Sequence, residues 1–81
     1  MSNVIAIDPG LYKCGVIVAD IKEKKVYEAE VIKSYLLLNY VKKKYQKEKN
    51  VQLLIGNGTS SKHYIKYLNQ FEPDLIIAEE K

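Results

Sequence analysis

Residues 4–20, VIAIDPGLYKCGVIVAD, are the segment that most narrows what this chain can fold into. An apolar run ends in Asp8, turns through Pro9 and Gly10, and returns through Cys14 and Gly15 into a second apolar run. Short apolar runs bounded by Gly and Pro read as buried strands, and two of them around one turn read as a hairpin. The expected strands are Val4–Asp8 and Gly15–Ala19. This arrangement sets a carboxylate at the C-terminal end of a buried strand, beside a glycine turn whose backbone can approach a ligand closely. Asp8 is therefore the first candidate for chemistry.

The segments after the hairpin complete an α/β pattern. Asp20 to Lys25 is a polar turn, and Val26–Ile32 alternates enough to be a half-exposed third strand, giving an antiparallel meander. Ser34 offers an N-cap for a helix over Tyr35–Glu48, with Leu37, Leu38, Val41 and Tyr45 spaced to face the sheet. The lysines between Lys42 and Lys49 crowd its C-terminal half, where they complement the helix dipole and read as a solvated face. Val51–Ile55 is a continuous apolar run, as expected of a buried parallel strand, and it ends in Gly56-Asn57-Gly58. A second helix starts with Ser60 or Ser61 as cap and carries Tyr64, Ile65, Leu68 and Phe71 on its apolar side. Glu72-Pro73-Asp74 stops it before a fifth strand, Leu75–Ala78, which runs into Glu79-Glu80-Lys81.

The order βββαβαβ, with right-handed crossovers, gives a mixed five-stranded sheet in the order 3-2-1-4-5 with both helices on one face. Strands one, two, four and five are apolar on both faces, so something must also cover the second face. A second copy of the chain, giving a dimer, or another partner is expected to do so.

Size and composition set the remaining bounds. Eighty-one residues make one small domain, 1–81, and a chain of this length buries only about 60–65% of the surface its unfolded form exposes. The single cysteine, Cys14, allows no internal disulfide and is expected to pack as a small apolar residue. The N-terminus has no basic leader and no apolar run approaches membrane-spanning length, so a cytoplasmic protein without a membrane partner is expected. The net charge is +3, and all 13 basic residues are Lys. Lysines attract a phosphate backbone as point charges, whereas bidentate reading of guanine favours Arg, so any nucleic-acid contact should be tolerant of sequence. His63 stands alone at a helix start and reads as a surface residue; no His/Cys cluster has zinc spacing.

Three segments together carry a family resemblance: AIDPGLYKCGVIVAD, LLIGNGTSSK and IIAEEK. In this order and spacing they resemble the RuvC/YqgF branch of the ribonuclease-H-like nucleases. The YqgF-type group is closest; it is described as Holliday-junction-resolvase-like or as processing ribosomal RNA precursors. The actin/sugar-kinase fold shares the first hairpin but needs a longer chain and a second phosphate loop. The resemblance implies a ribonuclease-H-like fold and a phosphodiesterase dependent on Mg²⁺ or Mn²⁺, acting on branched DNA or structured RNA. Asp8 matches the family's first-strand metal ligand. Glu80 matches the fifth-strand acidic position, with Glu79 the adjacent choice, since only one of two successive strand residues can face Asp8.

Lys13, Asn57, Thr59 and Lys62 are the candidates for contacts to nucleic acid. Asn57, between two glycines, reads equally as a turn residue with positive φ, and Gly56–Thr59 leads into a helix N-terminus that favours phosphate. Two departures bear on activity. The fourth strand ends in neutral Gly56-Asn57 where RuvC itself has a carboxylate, and full-length relatives continue into a helix with a further aspartate. The expectation is a domain incomplete at its C-terminal side, whose 81 residues bind metal weakly and cut slowly or not at all. The alternative is a non-catalytic interaction module that self-associates through the uncovered sheet face.

Overall fold

The computed structural model describes residues 3–47, 51–58, 61–71 and 75–78. The elements are β1 (Asn3–Asp8), β2 (Lys13–Asp20), β3 (Lys25–Lys33), a 3-10 turn (Ser34–Leu36) leading into α1 (Leu37–Lys47), β4 (Gln52–Gly56), α2 (Ser61–Phe71) and β5 (Ile76–Ala78). The five strands form one sheet in the order β3-β2-β1-β4-β5. β1 is antiparallel to β2 and parallel to β4, and β5 is parallel to β4. The expected α/β topology is therefore present. The expected stop at Glu72-Pro73-Asp74 lies outside the described residues.

Strand alternation explains why the helices sit where they do. Ile5 and Ile7, Cys14, Val16 and Val18, and Leu53 and Ile55 share one parity, hence one face. All are buried, in a single cluster with Leu37 and Val41 of α1 and Tyr64 and Leu68 of α2. Leu38, Tyr45 and Ile65 pack against its margin. Each fully buried Leu or Ile contributes roughly 1.5–3 kcal/mol relative to exposure, so this layer supplies most of the fold's stability. Phe71, expected on the same side, has its side chain outside the described residues.

The opposite parity faces away from both helices. Ile17 is 42% exposed, Val31 71% and Ile76 46%, while Ala6 and Leu54 are half-buried. Among the described residues nothing covers this open face.

The β2–β3 connection is built by local polar bonds. Asp20 Oδ1 accepts from the backbone N–H of Lys22 (2.9 Å) and of Glu23 (3.1 Å), and Lys24 turns the chain at φ 55°. A register shift between Val18 and Ala19 leaves Tyr27 as the extra residue of a bulge.

Ser34 corrects one expectation. No side chain caps the helical segment it opens. Its hydroxyl instead donates to the carbonyl of Gly10 at 2.9 Å, and the chain enters α1 through a tight 3-10 turn.

Most of the lysine run is a solvated face, as expected: Lys42, Lys43 and Lys47 are exposed. Lys44 is different. Its ammonium lies 2.6 Å from Glu28 on β3 and 5.6 Å from the centre of the Tyr40 ring, and Tyr40 donates a 3.3 Å hydrogen bond to Glu28. The hydrogen bond from Lys44 holds the Glu28 carboxyl below the usual carboxylate range, and the same bond raises Lys44. A lowered acid stabilises the fold above its unfolded pKa, and that contribution disappears as pH falls through the folded value. A raised lysine contributes below its unfolded pKa and ceases to do so as pH rises through the folded value. The Glu28–Lys44 tie between β3 and α1 is thus strongest between about pH 5 and 10. Glu28→Gln is expected to flatten the acid side of a stability–pH curve measured by urea unfolding. An unchanged acid limb would show that the pair does not couple folding to pH.

Candidate active site at the head of the central strand

Asp8 ends β1, is exposed, and belongs to the open face. Its cross-strand partner is Gly15, and Gly56 is the next residue of β4 beyond the Ile7–Ile55 pair. Both flanking strands therefore present glycine where another residue would place a side chain beside the carboxylate. A methyl group at Gly15 would lie 3.7 Å from the Asp8 Cβ, ordinary contact that would still fill space next to the acid. The carboxylate stands at one end of a shallow hollow of about 800 Å³, lined by Gly15, Ile17, Leu54, Gly56 and Ala78 among others.

The turn after Asp8 is fixed from below. Gly10 cannot carry a side chain, because a Cβ there would collide with the carbonyl oxygen of Lys13. The Gly10 carbonyl accepts the Ser34 hydroxyl and lies 3.8 Å from the buried Cys14 sulfur, which is itself 3.5 Å from Ser34 Oγ. Cys14 thus packs as expected, and its sulfur also backs the turn. The Ser34 N–H donates to the Tyr12 carbonyl at 2.8 Å, joining the turn to the end of β3.

On the other side of Asp8, Gly56-Asn57-Gly58 leads from β4 to α2. The Asn57 N–H donates to the Ala78 carbonyl at 2.7 Å, extending the β4–β5 pairing beyond the Gly56–Ala78 pair. Asn57 does not have positive φ; among the described non-glycine residues only Lys24 does. Its side-chain oxygen instead lies 3.1 Å from the hydroxyl of Ser61, which also donates to the Gly58 carbonyl at 2.6 Å. Ser61 is fully buried and donates its proton toward the turn rather than accepting from the helix, so it is not the expected acceptor cap. Ser60, the other candidate cap, lies outside the described residues.

The structure brings some of the expected site residues together. Lys13 shares the open face with Asp8, two positions before Gly15, and is paired with Lys33 across the β2–β3 ladder. Asn57 borders the same sheet end. Lys62 is exposed in the first turn of α2, in the helix layer, and so does not share the open face with Asp8. His63 is exposed, with its ring edge-on to Tyr67 at 5.0 Å, as a surface histidine should be. Thr59, Glu79 and Glu80 lie outside the described residues. Among the described residues no group of three or more His, Cys, Asp or Glu comes together. No described helix is long and apolar enough to cross a membrane.

Three residues at this end had no local sequence signal. Lys33 falls just past the expected third strand, which the structure extends to include it, and Tyr12 and Tyr35 fall in the turn and at the helix start. Their shared location arises only from β2–β3 pairing.

No protein-family model matches the chain, and no curated protein matches it at a significant level.

Proposed function

We propose that this domain is a divalent-metal-dependent phosphodiesterase acting on nucleic acid, of the RuvC/YqgF ribonuclease-H-like type, with Asp8 as its central carboxylate. The observation that carries this reading is the setting of Asp8. It is an exposed acid at the C-terminal end of the middle strand, flanked by two glycines, at the head of a hollow and near Lys13. A bare carboxylate repels a phosphodiester, and a hard cation between the two turns that repulsion into binding. Oxygen donors select Mg²⁺ or Mn²⁺. Asp8 would be one ligand and Glu80, or the adjacent Glu79, the next. When bound, such an ion supplies positive charge to the phosphate oxygens and eases activation of water. Asp8 itself contributes negative charge in a position that glycine neighbours leave open, and Lys13 attracts the backbone. Asn57, Thr59 and Lys62 are the further candidate contacts on the β4–α2 side. Branched DNA and structured RNA are the substrate classes the sequence resemblance supports.

The test uses the full chain with Mg²⁺, Mn²⁺ and Ca²⁺, following thermal stability and cleavage of a four-way DNA junction and a hairpin RNA. A bound ion at 100 times its Kd stabilises by about 2.7 kcal/mol, which a melting curve detects even when turnover is slow. Cleavage should require Mg²⁺ or Mn²⁺ and stop in chelator. A melting temperature unmoved by any of the ions, with both substrates intact, would defeat the proposal.

The exposed apolar face favours a second reading, an interaction module in which another copy of this chain covers the sheet. Five strands about 4.8 Å apart and about 20 Å long present roughly 480 Å² per copy. Two such faces total about 1,000 Å², the lower bound for a specific interface.

A further inference from the structure

We infer that the open face docks an amphipathic helix of another protein, laid across the strands with a Lys or Arg side chain over Asp8 and carboxylates toward Lys13 and Lys33. The docking stands on the hollow and its charges; only its consequence for cleavage rests on the nuclease reading above.

The sheet sets the shape of the surface. Cross-strand pairing puts Ala29, Ile17, Ala6, Leu54 and Ile76 in one row of the open face. The next row holds Val31, Gly15, Asp8, Gly56 and Ala78, and the paired Lys13 and Lys33 border it on the far side. The hollow of about 800 Å³ is lined by residues of both rows and of all five strands. The carboxylate and the apolar side chains therefore share one concave surface. Four strand spacings of about 4.8 Å make it about 19 Å long across the sheet, the length of about 13 helical residues.

Backbone hydrogen bonding selects a helix over an extended segment. The face of a sheet offers no N–H or C=O groups, so an extended segment lying there would bury its own backbone polar groups unpaired. A helix pairs them internally and presents apolar side chains at i, i+3, i+4 and i+7 to the groove.

The charges select another protein over a second copy. Asp8, Lys13 and Lys33 are exposed on this face, and none of these side chains forms an ion pair or hydrogen bond among the described residues. Two such faces brought together hold two described carboxylates and four described ammoniums, which leaves two lysines without partners. A helix of another protein can meet each charge with its opposite, a cation for Asp8 and acids for the lysine pair. An ammonium or guanidinium at Asp8 takes the place of a metal ion. The docked helix and Mg²⁺ or Mn²⁺ therefore exclude one another, and the partner inhibits the proposed cleavage.

Peptide binding in chelator tests this separately from catalysis. A displayed library of helical peptides of about 16 residues is selected on the full chain. Enriched peptides should carry Lys or Arg within the apolar stripe and Asp or Glu along one flank. One such peptide, labelled and read by anisotropy, should lose at least about tenfold in affinity when its basic residue becomes Glu. Asp8→Lys should reverse that preference. Leu54→Glu should abolish binding of both peptides, since it sets a bare charge in the hollow. Lys42→Ala, exposed on α1 in the helix layer, should leave binding unchanged. Melting curves verify the folding of each variant. Four results would overturn the inference: no enrichment, enriched peptides without the basic residue, an unreversed preference in Asp8→Lys, or a dimer of the chain that Leu54→Glu dissociates. Peptide binding to a chain that never cuts would keep the docking and defeat the nuclease reading. Metal-dependent cleavage by a chain that binds no peptide would do the reverse. Where both hold, the peptide should raise the Mg²⁺ concentration needed for half-maximal cleavage, and an unchanged requirement would overturn the mutual exclusion.

Discussion

Leu53→Ala is expected to lower the unfolding free energy by about 2–5 kcal/mol, whereas Leu54→Ala, one residue later, should cost about 1 kcal/mol. The two leucines have the same chemistry and opposite parity. Leu53 is fully buried between the sheet and the helices, in a cluster that includes Ile5, Ile55 and Leu68. Removing its isobutyl group loses the transfer energy and leaves a cavity that flanking strands on both sides prevent from collapsing. Leu54 lines the open hollow, where solvent fills the space left behind. A domain of this length has roughly 4–12 kcal/mol of stability in total, at about 0.05–0.15 kcal/mol per residue. Leu53→Ala should therefore bring the urea midpoint down by about 0.7 M or more, given typical slopes of about 1–3 kcal/mol/M. Equal losses at the two positions in dilute solution would mean that the open face is as well covered as the other.

The contrast between those two leucines also shows what was legible in the sequence. Parity is a local property, so the apolar runs around Ile5, Val16 and Leu53 disclosed both the strands and the apolar residues on the second face. Topology came from crossover handedness, which depends on chain chirality rather than on particular side chains. Local patterns misled where a residue's partner was distant. Ser34 has the local pattern of an N-cap, yet its hydroxyl bonds Gly10, 24 residues away, because β2–β3 pairing brings the two together. Asn57 has the local pattern of a left-handed turn residue, yet Ser61 and Ala78 engage it in another conformation. Lys44 reads as one more solvated lysine until β3 places Glu28 beneath it. Within the candidate site, the position of Asp8 was legible because a strand end and a Pro-Gly turn define it. The pairing of Lys13 with Lys33 was not, since cross-strand proximity is a property of the assembled sheet. Glu80 and Thr59 remain expectations from sequence alone.

Asp8→Asn should give opposite signs for the two functional readings. If Asp8 holds a divalent ion, the amide removes the negative charge that binds it. Substituting a residue that merely supports a metal ligand already costs about 10–100-fold in metal affinity or activity, so losing a direct ligand should cost at least about 100-fold. Cleavage should fall below detection and the stabilisation by Mg²⁺ or Mn²⁺ should vanish, while the fold persists, because Asp8 is exposed and the replacement has nearly the same shape. If instead a second copy of the chain seats on the open face, Asp8 is one of the charged groups, with Lys13 and Lys33, that oppose it. A carboxylate carried into an apolar interface without a partner is costly, and a neutral amide costs much less. The variant would then dimerise more tightly, as sedimentation across a protein concentration series would show. Cleavage lost with no change in association supports the nuclease; association strengthened with no metal effect in either protein supports the module. The substitution separates the readings because the same carboxylate is an asset to a cation site and an obstacle to a dry interface.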